Sequence, residues 1–258
     1  MKGIDVSKWQ GHINWRYVKE AGYDFAIIRD GYGKTGIDKM FEVNYQGARE
    51  AGLFVGAYHY SYADSVSEAR KEAEFCLELI AGKKFEFPIV YDIEDAEMLS
   101  MTTRQRTECC YAFCEAVETA GYYAMIYANP NWLKNYLHAN ELLSRFDLWL
   151  AQWNNKAAQY PCGIRQHSET GRVSGVIGNV DLNEAYKDYP SIMKERGING
   201  FGKSQQTETP KTTKCYTVVP GDNLTKIAVK YGTTIDKIAK DNGIVDKNKI
   251  YAGQVLRV

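Results

Sequence analysis

At 258 residues the chain has room for one large domain, or a medium domain with a small appendage. Its 45% hydrophobic and 25% charged residues are those of an ordinary globular protein, and 32 basic against 32 acidic side chains exclude a global pull toward nucleic acid or acidic lipid. No stretch approaches the ~20 consecutive apolar residues of a membrane span, and the opening Met-Lys-Gly-Ile-Asp lacks the apolar core of a secretory signal.

Gly3 to Ser7 reads as a strand, with Ile4 and Val6 alternating against Asp5 and Ser7. Trp15 to Gly22 suits a short helix. Phe25 to Arg29 is a continuous apolar run, as a parallel strand covered on both faces requires. The segment Gly31-Tyr32-Gly33-Lys34-Thr35-Gly36 reads as a flexible loop without the spacing of a phosphate-binding loop. Phe54 to Tyr60 is the third strand, followed by a helix from Ser65 to Ile80. Pro88 to Asp95 is the fourth strand, Thr102 to Ala120 a helix, Tyr122 to Tyr127 the fifth strand and Asn131 to Ala139 a short helical piece. Leu148 to Trp153 is the sixth strand. Ile164 to His167 and Gly178 to Leu182 are short strands with little helix between them.

Strand and helix in this alternation predict a parallel sheet, and eight strands at this spacing predict an irregular TIM-like β/α barrel with the last helices reduced. From residue 193 to 214 the text turns polar and aperiodic, as a linker does. Residues 215–258 read as strand, helix, helix and strand, a small βααβ module.

The six cysteines (76, 109, 110, 114, 162 and 215) form no CxxC pair and the four histidines are scattered. No zinc site or other cofactor is expected, and free thiols are. Cys110 and Cys114, four apart on a predicted helix, are poorly placed for a disulfide.

The chemistry concentrates in Asp92-Ile93-Glu94. Residues two apart on a strand share a face, and neighbouring carboxylates repel, so one keeps its proton near neutral pH. That equips the pair for acid-catalysed glycoside cleavage. A strand end whose acids cap a helix or hold a cation is the other reading. Asp5, Asp92, Glu94 and Asp181 all fall at or near C-terminal strand ends, where barrels carry their chemistry, which favours catalysis. Arg29 is expected to pair with the acidic floor and His59 to be a satisfied core histidine. Asp95, of opposite parity to Glu94, belongs to the following loop.

The motifs GIDVSKWQG, FAIIRDGYG, Asp38-x-x-Phe41-x-x-Asn44, AGLFVGAYHY, PIVYDIED, LWLAQW and VDLN resemble glycoside hydrolase family 25, over roughly the first 190 residues. The tail, from YTVVPGDNLTKIA to IYAGQVLRV, resembles a LysM peptidoglycan-binding module. Asn223 stands there where Ser or Thr is usual, and can still cap the helix. The resemblance implies residues 1–192 as catalytic barrel, 193–214 as linker and 215–258 as LysM. It implies cleavage of the β-1,4 bond from N-acetylmuramic acid to N-acetylglucosamine. Glu94 matches the general acid. Asp92 would stabilise the substrate's N-acetyl group or a developing positive charge, and Asp5 and Asp181 complete the groove floor. A carboxylate nucleophile, an activated water and assistance by the substrate's acetamido group are all available; assistance with net retention is the expectation.

Tyr58, Tyr60, Tyr62, Tyr127, Gln152 and Trp153 sit at strand ends, where some should touch sugar and the others pack the rim. In the tail the sugar groove carries over to Gly221, Asp222, Asn223, Leu224, Ile250 and Tyr251, with Leu224 and Ile250 open to a core role. The partner implied is bacterial peptidoglycan, without nucleic acid or membrane, for a monomer or weak oligomer. A wall-binding barrel without chemistry and a chitin-type glucosaminidase remain alternatives. Without an export signal, the protein is expected to be made in the cytoplasm and to reach the wall after release. A phage or prophage endolysin fits this, as does a bacterial autolysin written without its signal.

Overall fold

Alternation of side chains along the strands creates two layers of core. In β1 (Lys2–Val6) and β2 (Phe25–Tyr32), Ile4, Val6, Ala26 and Ile28 join a large apolar cluster, whereas Phe25 and Ile27 join a second, smaller one. The second is the barrel interior, where Phe25 and Phe87 stack at 4.1 Å and Val90, Met125, Trp149 and Ile164 fill the remainder. The computed structural model describes residues 1–202, 215–231, 233–244 and 246–257. These fall into two compact units, Met1–Lys203 and Ser204–Val258.

Between β1 and β2 lie a 3-10 turn (Lys8–Gln10), held by a Ser7 capping box, and helix α1 (Trp15–Glu20). There follow β3 (Gly36–Ile37), α2 (Phe41–Glu50), β4 (Phe54–Tyr60), α3 (Val66–Ile80) and β5 (Ile89–Asp92). Next come a 3-10 turn (Ala96–Ser100), α4 (Thr103–Thr119), β6 (Ala124–Ala128), α5 (Pro130–Asn135), α6 (Ala139–Leu143) and β7 (Asp147–Ala151). The unit ends with β8 (Ile164–Gly171), β9 (Val180–Ala185) and α7 (Tyr189–Arg196). Ser65 and Thr102 cap α3 and α4, as their hydroxyls ahead of the apolar periodicity require.

The strands close in the order β1, β2, β4, β5, β6, β7, β8, β9 and back to β1. Six of the pairings in this ring, from β1–β2 through β7–β8, are parallel. β9 departs from the parallel expectation and runs antiparallel to both β8 and β1. The reason is chain length. β8 ends at Gly171 and β9 begins at Val180, too close for the crossover of a dozen or more residues that a parallel return needs.

Two further expectations are corrected. The Gly31–Gly36 segment is not a loose loop, because β2 continues through Tyr32 and folds back as β3. Gly31 makes this possible, since a Cβ there would lie 2.4 Å from the Gly36 carbonyl oxygen. The polar stretch from residue 193 opens with ordered structure: Met193 and Tyr189 of α7 pack into the barrel interior and Asn199 is fully buried. The ordered unit therefore runs past the expected linker boundary; linker residues 203–214 lie outside the described residues.

Behind the barrel wall, His59 of β4 is fully buried, its Nδ1 2.8 Å from Asp30 Oδ1 and its Nε2 2.7 Å from the Gly33 carbonyl oxygen. Cys76 Sγ donates to the other Asp30 oxygen at 2.9 Å. These three side chains have the ligand types for a metal ion. Yet both imidazole nitrogens already have partners, and the arrangement is that of a closed hydrogen-bonded ion pair. Burial opposes charge on His59, but the Asp30 carboxylate and the hydrogen bonds outweigh it and raise its pKa. A raised pKa contributes stability that is full below the unfolded value and fades as pH rises through the folded one. His59→Ala should therefore destabilise the unit by ~3–5 kcal/mol at pH 6. Urea unfolding should show a smaller deficit at pH 9, and a deficit independent of pH would contradict a charged His59. Cys76, Cys109, Cys110, Cys114 and Cys162 are free thiols, as expected.

In the second unit β10 (Cys215–Thr217) pairs antiparallel with β11 (Val255–Arg257), enclosing α8 (Leu224–Tyr231) and α9 (Ile235–Asp241). Val218, Leu224, Ile227, Ala228, Ile238 and Leu256 form its core. Gly232, expected to stop α8, lies outside the described residues.

Candidate active site

The barrel opens at the C-terminal ends of its parallel strands into a cavity of about 280 Å³ whose floor includes Asp5, Arg29, Tyr58, Asp92, Tyr127, Gln166 and Asp181. Inward-facing residues from β1, β2, β4, β5, β6 and β8 line it, so residues far apart in sequence converge. Asp181 joins the set from the opposite end of its strand: it is the second residue of the reversed strand β9, paired in register with Asp5.

Asp92 ends β5 and is 8% exposed. Its Oδ1 accepts the Glu94 backbone N–H at 3.3 Å. Burial, and then the charge of Glu94, push its pKa up to about 8, although that N–H and Arg29 oppose the rise. Glu94 lies in the loop after β5 and is not among the residues lining the floor. Its Oε2 accepts from Asn129 Nδ2 at 2.8 Å and its Oε1 accepts the Asn129 backbone N–H. Burial lifts Glu94 to about 7 against these two hydrogen bonds. The Asp92–Glu94 pair thus retains a transferable proton near neutral pH.

Asp5 is fixed by two amides. Its Oδ2 accepts from Gln166 Nε2 at 2.9 Å and from Asn183 Nδ2 at 2.7 Å. Burial, then the facing Asp181, raise Asp5 well above the carboxylate range, and Asp181 is raised to about 6 by its own burial. Burial and their mutual repulsion favour one proton shared between these facing carboxyls.

Gln166 joins this acid pair to the aromatic wall. Its Oε1 accepts from Tyr127 Oη at 3.0 Å and Trp153 Nε1 at 2.8 Å. Asn183 Oδ1 likewise accepts from Trp149 Nε1 at 2.8 Å. With both amide oxygens engaged by donors, both NH2 groups must face Asp5.

Of the anticipated sugar contacts, Tyr58, Tyr60, Tyr127 and Trp153 line the cavity. Tyr60 gives its hydroxyl to Asp95 at 2.9 Å, which leaves its ring to the cavity. Asp95 itself caps the following 3-10 turn, as its parity suggested. Tyr62 stands outside, 41% exposed and edge-on to Tyr60. Gln152 is buried, and its amide is committed to the loop after β7 through Asn154, Ala157 and Gln159. Arg29 pairs not with Asp5, Asp92 or Asp181 of the floor but with buried Asp38, at 2.8 Å, and its Nη2 has no hydrogen-bond partner. Sequence reading missed Asn129, Gln166, Asn183, Glu169 and Trp9. Asn129 carried one visible signal, the Asn-Pro start of α5. Trp9 is 77% exposed at the cavity rim with the Lys8 ammonium 5.0 Å from its ring.

A closed β/α barrel with carboxyls held above their ordinary pKa at its mouth is the equipment of an acid-catalysing glycoside hydrolase. The chain belongs to the glycosyl hydrolases family 25, whose model matches residues 4–176. A LysM domain model matches residues 216–258. Lysozyme M1 of Streptomyces globisporus is 34% identical over 200 residues, covering 71% of this chain and 67% of that protein. The crystal structure of a bacterial lysozyme from Streptomyces coelicolor superposes with a TM-score of 0.67 at 28% identity, covering 78% of this chain and 98% of that one. The CTP1L endolysin superposes at 0.66 with 27% identity, over 75% of this chain and 69% of its own.

In the LysM unit, Asn223 Oδ1 caps α8 by accepting the Lys226 N–H at 2.9 Å, and Asp222 accepts from Tyr216 Oη and the Val219 N–H. Leu224 is 2% exposed and belongs to the core, against which Ile250 packs, whereas Tyr251 is 68% exposed. Gly221 has φ +91°, which a side chain would strain.

Proposed function

We propose that this protein hydrolyses the β-1,4 bond from N-acetylmuramic acid to N-acetylglucosamine in bacterial peptidoglycan. Residues 1–202 would act as the hydrolase, and residues 215–258 would hold the wall through Gly221, Asp222, Asn223 and Tyr251. The observation that carries the reading is the Asp92–Glu94 pair, with pKa values of about 8 and about 7, of which Asp92 lines an open cavity and Glu94 stands two residues on, held by Asn129. In the reacting form the one proton of the pair is on Glu94 and Asp92 is ionised, and Glu94 gives that proton to the glycosidic oxygen as the bond to the anomeric carbon breaks. The acetamido oxygen of the muramic residue closes on that carbon, and Asp92 accepts its N–H and balances the positive charge. Water then opens the ring intermediate, returning a proton to Glu94. The paired carboxyls of Asp5 and Asp181, with Arg29 Nη2, would bind the donor sugar from below. Among the described residues no helix is long and apolar enough to cross a membrane. Likeness to an endolysin supports action on the wall after release from the cell that made the protein.

The test is digestion of purified Gram-positive walls by the whole protein. New reducing ends should appear, mass spectrometry should place muramic acid at them, and NMR of fresh product should show the β-anomer first. N-acetylglucosamine at the new ends would favour the chitin-type alternative. Retained pull-down without new ends would leave only wall binding, and the α-anomer first would rule out acetamido assistance.

A further inference from the structure

Lys8 and Trp9 stand just beyond the end of β1, and Tyr32 ends the neighbouring β2. Trp9 lines the cavity that holds the acidic floor. The Lys8 ammonium lies 5.0 Å from the centre of the Trp9 ring and 5.2 Å from that of Tyr32. Among the described residues no carboxylate pairs with it. The other cation at Tyr32 is already answered: Arg29, whose guanidinium carbon is 5.6 Å from the ring, pairs with Asp38. Asp38 has nothing left for Lys8 Nζ. Its Oδ2 also accepts the Lys8 backbone N–H at 2.9 Å, and its Oδ1 accepts the Met40 N–H at 2.9 Å.

The turn that carries this ammonium is tied down. Gln10 Oε1 accepts the Ser7 N–H at 2.9 Å on one side of Lys8, and Asp38 holds the Lys8 N–H itself. A free surface lysine keeps its strongly hydrated head in water and its stem mobile. Here two ring faces hold the half-buried side chain, each such contact contributing ~0.5–1 kcal/mol. The outcome is a positioned cation with three donors and no anion. Its place relative to the substrate follows from the strands. The donor sugar lies over Asp5 of β1 and Arg29 of β2, so a branch leaving that sugar over the same two strands meets Tyr32 and Lys8. The cavity itself, lined by Asp5, Asp92, Glu169 and Asp181, repels a carboxylate, whereas the Lys8 rim attracts one. Muramic acid carries such a branch: a lactyl ether extended by a peptide with free carboxylates. Bare glycan offers this rim no anion.

We propose that Lys8, held between Trp9 and Tyr32, binds a carboxylate of the peptide branch on the muramic residue, so that the protein prefers glycan still bearing its peptides to bare glycan. The inference rests on the hydrolase reading above and adds a contact to a part of the substrate that takes no part in the chemistry.

The experiment compares the whole wild-type protein with Lys8→Gln, which keeps the backbone N–H to Asp38 and removes the charge. The substrates are soluble glycan strands with their peptides, and the same strands after an amidase has stripped them. On peptide-bearing strands the variant should lose about fivefold in kcat/KM, through KM, as one partly exposed ion pair allows. On stripped strands it should stay within about twofold of wild type. Salt at about 0.5 M should erase the wild-type preference, because exposed charge pairs are screened. Equal losses on both substrates, no loss on either, or a preference indifferent to salt would overturn the proposal. The Trp9 indole N–H signal, assigned with Trp9→Phe, follows binding without turnover. N-acetylmuramyl-L-alanyl-D-glutamate should bind the wild type about fivefold more tightly than its diamide does, and the variant should not tell the two apart. Equal affinities in the wild type, or tighter binding of glycerol phosphate than of the dipeptide acid, would overturn the assignment to peptide. A wild type that cleaves neither kind of strand would overturn the hydrolase reading instead, and the indole titration would then decide the Lys8 site alone.

Discussion

Glu94→Gln should lower kcat on wall glycan by about 10²–10⁴-fold, the usual range for a positioned general acid. The amide keeps the size of the side chain but has no proton to give. It also turns one nitrogen toward a donor of Asn129, so an unfolding curve must accompany the kinetics. The pH profile separates lost chemistry from lost structure. Burial holds Glu94 at about 7 and Asp92 at about 8, so wild-type kcat should fall as pH rises past about 8 and the pair loses its last proton. The variant's residual rate should lack that limb. Equal turnover by the two proteins would remove Glu94 from the mechanism.

Asp92→Asn should move activity and stability in opposite directions. Activity should fall by roughly 10²–10³-fold, because a neutral amide cannot balance the charge that develops at the acetamido group. Stability should rise at pH 8. Burial and the neighbouring Glu94 raise Asp92 from 3.8 to about 8, so ionising it is easier in the unfolded chain than in the folded one. The penalty is therefore absent below about pH 4 and develops as pH climbs toward 8. Removing the titrating group should recover ~1–3 kcal/mol at pH 8, a rise in Tm of roughly 3–10 °C, and almost nothing at pH 4. Asparagine can still accept the Glu94 N–H, so the local turn is kept. A fall in Tm at pH 8, or the same gain at both pH values, would contradict this.

Much of the site was legible because strand parity is a local property. Asp5, Arg29, Tyr58, Asp92 and Tyr127 face inward for the same reason that Phe25 and Val90 do. Other parts were not local. Glu94 does not continue the strand: β5 stops at Asp92, and the loop turns the Glu94 carboxylate to Asn129, 35 residues on. Gln166 and Asn183 look like ordinary strand amides until closure of the barrel brings them 2.9 and 2.7 Å from Asp5. Gln152 and Trp153 are neighbours on paper with the same prospects. One is buried to tie a loop, and the other is half exposed in the cavity wall.

The amino-acid order alone determined the barrel's alternation of strand and helix, the capped helices, the acidic residues and the small second module. Each depends on periodicity or on contacts a few residues apart. Only the tertiary structure decided which acids share a proton and which residue holds the acid in place. The clearest case is Asp181. A short β8–β9 connection reverses the last strand, and that reversal puts the start of β9 at the mouth, with Asp181 opposite Asp5. Hydrogen-bond register across a closed sheet is a property of the whole ring, and no window of sequence contains it.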